Sequence, residues 1–534
     1  MEHTIPAALA SAAREFGDVP ALAEPGGLRL TYGQLQARAT AISRVLYADG
    51  IRPGDRVAIW SPNTSHWVLG ALGTFCAGAT LVPVNTRFTG PEALDVISRS
   101  GASVLIVVGP FLGTDRLAAL RAAAAAEQDS PGQNGGCLAR LRRIVQVPVE
   151  PGQPVADGAI GWAEFEDRAA AVPADVAALA DDRAAAVRPD DISDILFTSG
   201  TTGRSKGVMS AHRQSLAVAR AWARCGQLSS DDRYLVINPF FHSFGFKAGI
   251  LACLVSGATV VPQAVFDAGQ AMRLVEAERI TVLPGAPTVY QMILDHPERG
   301  SRDLSSLRLA VTGAADVPVA LVERIRRELG FDVVLTGYGL TEAVVATMCR
   351  PGDAAETVAS TSGRPAAGFE VRIEGAAQPG DVGEILLRGP NLMLGYLDDP
   401  VATKAAIDPD GWLHTGDAGR LDAAGYLAIS GRLTDMYICG GFNVYPAEVE
   451  QALARLDSVA ESAVIGVPDA RLGEVGRAYV VTRPGHALDE VQVLAFCRER
   501  LANYKVPRQV VFRADLPRNP SGKPLKRLLR EEAR

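Results

Sequence analysis

The sequence is poor in the features of secreted, metal-clustered or nucleic-acid-binding proteins. Only seven of its 534 residues are cysteine, and no two have C-x-x-C spacing, which excludes a zinc ribbon and a dithiol redox site. An odd, scattered set of thiols fits a reducing, cytoplasmic setting in which cysteine packs as a small apolar group. Neither sign of charge dominates: 53 basic against 60 acidic residues leave a net charge of −7. Such a balance offers no general attraction for nucleic acid or an anionic membrane. The N-terminus lacks the long apolar run of a secretory leader, so none is expected.

Long hydrophobic runs are almost absent as well. Two stretches, Trp67 to Thr86 and Ala248 to Phe266, lack charge over roughly 20 residues, the length of a bilayer span. Each is interrupted by Gly-Ala-Thr and then by Pro83 or Pro262, which predicts a helix followed by a buried strand rather than a span. What is present is a globular composition, 48% hydrophobic and 21% charged, enough for large cores in about three or four units.

The same two stretches belong to an internal duplication. Asp55-Arg56-Val57-Ala58-Ile59-Trp60-Ser61-Pro62 aligns with Asp232-Arg233-Tyr234-Leu235-Val236-Ile237-Asn238-Pro239. Gly78 to Pro83 matches Gly257 to Pro262, and Phe88 to Val104 parallels Phe266 to Val282. Each copy reads strand, helix, strand, helix, strand, the order of a parallel α/β layer. Two such subdomains would meet at a cleft, where ligands commonly sit. Between Ala122 and Pro154 the richness in Ala, Gly, Pro and Gln predicts a flexible surface loop. Short alternating strands after Pro379-Gly380 predict a smaller β-rich unit, and a new pattern begins near Leu433.

The chemistry is concentrated in what the copies do not share. The short apolar strand Ile195-Leu196-Phe197 runs into Thr198-Ser199-Gly200-Thr201-Thr202-Gly203-Arg204-Ser205-Lys206-Gly207. Glycines let backbone N–H groups turn inward, hydroxyls add donors and Lys206 adds charge, a combination suited to polyphosphate. A solvated turn is the alternative for such a loop alone, and the spacing is not that of a Walker A motif.

This loop resembles the phosphate loop of the adenylate-forming superfamily, which includes acyl-CoA synthetases, luciferases and adenylation domains. Further motifs follow in that family's order along nearly the whole chain. Asp194-Ile195-Leu196-Phe197, Asn238-Pro239-Phe240-Phe241-His242 and the run Asp435 to Pro446 resemble, within it, CoA ligases of steroid-ring catabolism that act on hexahydroindanone propanoates. The resemblance implies an α/β fold. A large domain (residues 1–433) would hold two duplicated parallel-sheet subdomains and a β-rich subdomain, with a small mobile α+β domain (434–534) as a lid.

It also implies a division of roles. Thr198, Ser199, Gly200, Thr201, Thr202, Gly203 and Lys206 would bind the phosphates of ATP. Gly313-Ala314-Ala315 would wall the adenine or acyl group. Tyr338 and Gly339 would flank the base, Thr341 would serve the phosphates, and Glu342, with Thr201, would hold Mg²⁺. Asp417 suits the ribose hydroxyls and Arg432 the ribose or phosphate oxygens.

His242, a core histidine by itself, corresponds to the gate for the acid's carboxylate. Amino-acid-adenylating relatives carry an aspartate there, so an acid without an α-ammonium is favoured. Phe241, His242, Phe246 and Gly339 would line the acyl pocket. Lys523, in an otherwise ordinary basic C-terminal run, matches the adenylation lysine. Gly440, Gly441 and Phe442 match the loop that serves coenzyme A. The hinge position holds Thr434 instead of the usual Asp or Lys. The implied partners are a small carboxylic acid, ATP and CoA, and the oligomeric state is not legible. Other readings are a medium-chain fatty-acid or aryl-acid CoA ligase, a stand-alone acyl-AMP ligase, and a non-enzymatic nucleotide sensor.

Overall fold

The computed structural model describes residues 2–128, 137–150, 152–198, 205–313, 319–440, 442–469, 471–518 and 524–533. Its largest sheet has eight strands. They run in the order Gly395–Tyr396, Lys206–Ala211, Ile192–Thr198, Thr80–Pro83, Arg56–Trp60, Ala102–Val108, Arg143–Val147 and Ile160–Gly161. In a second sheet Thr259–Pro262 pairs in parallel with Arg233–Val236. Val282 then bridges Tyr234 to Leu309, which opens the strand Leu309–Gly313, itself paired with Val333–Tyr338.

The duplication holds at the level of register. Arg56 pairs with Thr80 and Val57 with Val104; their counterparts Arg233 and Tyr234 pair with Thr259 and Val282. Equivalent residues thus occupy equivalent ladder positions in the two sheets. Both uncharged stretches fold as expected. Ser65–Cys76 is a helix whose N-cap Thr64 accepts a hydrogen bond from Trp67 N, and Thr80–Pro83 is a wholly buried strand. In the second copy the winding over Phe246–Leu251 is π, followed by the short α-helix Ala252–Ser256 and the buried strand Thr259–Pro262. Among the described residues no helix is long and apolar enough to cross a membrane.

The repeats meet through aromatic packing. Trp67 of the first copy lies 5.2 Å from the Phe240 ring and 5.8 Å from that of Phe246 in the second. All three are fully buried, and such side chains dominate core energetics through the area they remove from water. Asn63 adds a polar tie: its Nδ2 donates to the carbonyls of Val236 and Asn238, and its Oδ1 accepts from Phe240 N at 2.8 Å.

One expectation is corrected. The stretch from Ala122 to Pro154 is not loop throughout, because Arg116–Gln128 is helical and Arg143–Val147 is a strand of the large sheet. Alanine's high helix propensity carries the first part. Parallel pairing with Ala102–Val108 holds the second.

The β-rich unit is the antiparallel sheet of Glu370–Ile373, Gly383–Arg388, Leu413–Leu421 and Leu427–Arg432. Beyond it, a separate hydrophobic core is built only from residues at and after Tyr437. There the long antiparallel pair Val459–Asp469 and Gly473–Thr482 belongs to the chain's last sheet, with helices Pro446–Leu453 and Lys526–Glu532 packed against Val459–Asp469.

His212 gives the large part an acid-sensitive point. It is 1% exposed, and its Nδ1 accepts from Ile5 N, tying the first helix to the helix His212–Cys225. Burial lowers its pKa to about 4 despite the opposing pull of Asp194 and Asp191. The unfolded imidazole titrates near its usual value of about 6.5, so between these values the unfolded state holds the extra proton. Stability therefore falls as pH drops through that window, by on the order of 3 kcal/mol at its lower end. His212→Asn, which keeps an acceptor near Nδ1, is expected to flatten the melting temperature between pH 6.5 and 4; an unchanged slope would contradict the assignment.

Candidate active site

A tyrosine of the second sheet converges with two residues of one hairpin where the β-rich unit meets that sheet. Tyr338 ends the buried strand Val333–Tyr338, and its hydroxyl donates to Asp417 Oδ2 at 2.6 Å. Arg432 pairs with the same carboxylate, its Nε 2.9 Å from Asp417 Oδ1. Asp417 and Arg432, 15 positions apart in the chain, are direct cross-strand partners in the hairpin Leu413–Leu421 and Leu427–Arg432. Desolvation, and next the Asp417 charge, push the Tyr338 phenol well above its ordinary pKa. The phenol stays a donor. Each carboxylate oxygen of Asp417 keeps a second acceptor site, which suits a pair of vicinal hydroxyls.

The turn after Tyr338 is set by close backbone approach. A Cβ on Gly339 would lie 1.8 Å from the Val344 carbonyl oxygen, so only glycine fits. Val344 itself sits at φ 61°, a strained conformation for a β-branched side chain. This tight turn presents Thr341 and Glu342, both partly exposed. Upstream, a Cβ on Gly313 would meet the Gly337 carbonyl oxygen at 2.6 Å. Its lack of a side chain therefore serves the approach of the two paired strands. Ala314 and Ala315 lie outside the described residues.

Glu342 belongs to a second cluster. Tyr396 donates its hydroxyl to Glu342 Oε1 at 2.8 Å, and Lys206 Nζ lies 4.8 Å from the centre of the Tyr396 ring. Tyr396 is placed by the two-residue strand Gly395–Tyr396, which pairs with the strand that begins at Lys206. Sequence reasoning did not find Tyr396. A Gly-Tyr pair beside an apolar run carries no chemical signal until the sheet brings it to Glu342. Thr198 and Lys206 face each other at the ends of the paired strands. Ser199, Gly200, Thr201, Thr202 and Gly203 lie outside the described residues. Tyr396→Phe keeps the ring over Lys206 and removes the bond to Glu342. The adenylation that the resemblance implies is expected to slow about tenfold, the value of one hydrogen bond to a charged group; an unchanged rate in pyrophosphate exchange would contradict this.

His242 is exposed, yet surrounding protein lowers its pKa by desolvation. Its Nδ1 accepts from Phe244 N at 3.2 Å, which leaves the proton of the neutral ring on Nε2 as a donor. Phe241 is half-buried beside it. Phe246 is not a lining residue: it is fully buried and stacks on Phe75 at 6.0 Å.

In the last part of the chain Thr434 is exposed, in the 3₁₀ turn Leu433–Asp435. The adjacent Asp435 is gripped by Arg530 of the last helix at 2.6 Å. Gly440 is exposed at φ 59°, and its N–H donates to the Leu472 carbonyl. Phe442 is exposed and stacked on Tyr504 at 4.7 Å. Gly441 and Lys523 lie outside the described residues.

The profile of the AMP-binding enzyme family matches residues 9–397, and that of the AMP-binding enzyme C-terminal domain matches residues 448–523. The chain belongs to the AMP-binding enzyme family. It is 60% identical over 529 residues to a methyl-dioxo-octahydroindenyl propanoyl:CoA ligase of Rhodococcus jostii, covering 99% of this chain and 98% of that one. The ligase of the same name from Mycobacterium tuberculosis is 58% identical over 99% of both chains.

Among solved structures, the anthranilate CoA ligase AuaEII in complex with anthranoyl-AMP superposes with a TM-score of 0.87 at 27% identity, over 100% of this chain and 99% of that one. ATP-bound MatB from Rhodopseudomonas palustris gives 0.82 at 30% identity, with the same coverage. With this family membership and these relatives, the AMP-binding chain is an acid–thiol ligase that uses ATP and CoA as substrates.

Proposed function

We propose that this acid–thiol ligase joins a steroid-derived bicyclic propanoate to coenzyme A. The observation that carries the choice of acid is the 60% identity, over nearly the whole of both chains, to a ligase named for that substrate. The absence of a carboxylate at His242 favours the same class, since no side chain there would pair an α-ammonium.

In the first step a carboxylate oxygen of the acid attacks the α-phosphorus of ATP. The bond to the β-phosphate oxygen breaks, pyrophosphate leaves and an acyl-adenylate forms. Asp417 would accept the ribose hydroxyls while Arg432 and Tyr338 hold it in place. His242 Nε2–H would orient the carboxylate. Lys206, with Lys523, would offset the negative charge that builds on the phosphate and carboxylate oxygens. Glu342 fits a Mg²⁺ role: Tyr396 takes one of its oxygens, and the other has no hydrogen-bond partner among the described residues. With Thr201, Glu342 would hold an ion that neutralises phosphate charge when bound.

In the second step the CoA sulfur attacks the acyl carbon, the thiol proton is lost and AMP leaves. The unit 434–534 would swing about Thr434 relative to 1–433, withdrawing Lys523 and bringing Gly440, Gly441 and Phe442 to the adenylate. The exposure of Thr434 within the short 3₁₀ turn Leu433–Asp435 supports the hinge. Six cysteines are free and buried, which fits the reducing cytoplasm.

Pyrophosphate exchange with a panel of carboxylic acids, without CoA, tests the first step. Exchange that depends on the bicyclic propanoate is expected. ATP binding with no acid-dependent exchange would instead favour a nucleotide sensor.

A further inference from the structure

A lysine is almost never fully buried unless paired. Lys247 and Asp194 are 1% and 0% exposed, with Nζ 2.8 Å from Oδ1. Lys247 Nζ also donates to Ser210 Oγ at 2.9 Å. The other oxygen of Asp194, Oδ2, accepts from the hydroxyls of Ser193 and Ser215 at 2.7 and 2.8 Å. Four elements meet here. Asp194 and Ser193 stand on the strand Ile192–Thr198, Ser210 on Lys206–Ala211, Ser215 on the helix His212–Cys225, and Lys247 on the π turn Phe246–Leu251.

The placement joins the two halves of the chemistry. Asp194 lies four residues before Thr198, Ser210 four residues after Lys206, and Lys247 five residues after His242. The pair therefore ties the stem of the phosphate hairpin to the segment that carries the acid-binding histidine. Apolar side chains of similar volume would fill such a site at equal or lower cost, so stability alone does not account for it. π turns recur at functional sites, and this one carries Lys247 to the hairpin stem.

We propose that Lys247 and Asp194 are positioning residues that fix the distance between the acid's carboxylate and the α-phosphate. The inference rests on the adenylate-forming reading above. Bringing two reactants within attack distance is sensitive to displacements of about 1 Å, which cost on the order of 100-fold in rate.

The test uses the full chain and three variants: Lys247→Met, the double variant Asp194→Asn with Lys247→Met, and Ser210→Ala. Lys247→Met leaves a buried carboxylate unpaired and is expected to lower the melting temperature by several degrees. The double variant removes both charges and is expected to recover most of that loss. Its kcat for adenylate formation nevertheless stays tenfold or more below the parent, with KM for ATP and acid within about twofold. Transfer to CoA from supplied acyl-adenylate stays within about twofold as well. Ser210→Ala, the mildest change, is expected to slow adenylation about threefold with the melting temperature unchanged.

A double variant that adenylates at the parental rate would overturn the proposal, as would an equal loss in both half-reactions. If the double variant does not fold, Ser210→Ala decides: a parental adenylation rate overturns the proposal and a selective loss supports it. Failure of the unaltered protein to exchange pyrophosphate with any acid would instead refute the adenylate-forming reading itself.

Discussion

Asp417→Asn is expected to raise KM for ATP by 10- to 100-fold while the protein stays folded. The carboxylate is held from both sides, by the Tyr338 hydroxyl at 2.6 Å and by Arg432 Nε at 2.9 Å. Asparagine preserves the shape and can still accept from Tyr338. It turns an N–H₂ group toward the guanidinium or toward the ribose, and either orientation loses a charge-assisted bond. Such bonds contribute about 1.5–3 kcal/mol each, and about 1.4 kcal/mol is a factor of ten. Alanine is the less informative change, because it would leave the buried Tyr338 hydroxyl without a partner. Steady-state kinetics with ATP varied at saturating acid checks the effect. A KM within twofold of the parent would remove Asp417 from the ribose site.

Lys523→Ala is expected to have the largest effect on a single step. Loss of a cation aimed at developing transition-state charge costs on the order of 100- to 1,000-fold in rate. The flanks of its segment are pinned to the last core: Leu525 N–H donates to the Pro517 carbonyl at 2.7 Å, and Lys526 pairs with Glu450 at 2.7 Å. The variant is therefore expected to fold normally. Adenylate formation should fall by that factor, whereas transfer to CoA from supplied acyl-adenylate should be largely retained, since in the proposed mechanism the second step would call on Gly440 and Gly441 instead. Equal loss of both half-reactions would contradict the alternation of two poses.

Much of the architecture was legible because buried parallel strands write themselves as short continuous apolar runs. The duplication was legible for the same reason, and the shared register of Arg56 with Thr80 and Arg233 with Thr259 bears it out. The resemblance singled out Asp417 and Arg432 one at a time, and the hairpin that makes them cross-strand partners appears only in the sheet. Tyr396 could not be read at all, because its partner Glu342 is 54 residues away and only the added two-residue strand unites them. Asn63 was equally hidden, lying 177 residues before the Phe240 amide it receives. The resemblance put Phe246 among the acyl-pocket residues, whereas its full burial against Phe75 appears only once the chain is packed. The helix Arg116–Gln128 was obscured by the Gly- and Pro-rich stretch just beyond it.

CoA-dependent AMP release, compared across acids at matched concentrations, tests the central claim most directly. The bicyclic steroid-derived propanoate is expected to give the highest kcat/KM, at least tenfold above medium-chain fatty acids and arylpropanoates, consistent with what a shaped apolar pocket can discriminate. A higher kcat/KM for a medium-chain fatty acid would contradict the assignment of the acid, and AMP release that ignores CoA would contradict ligation to a thiol.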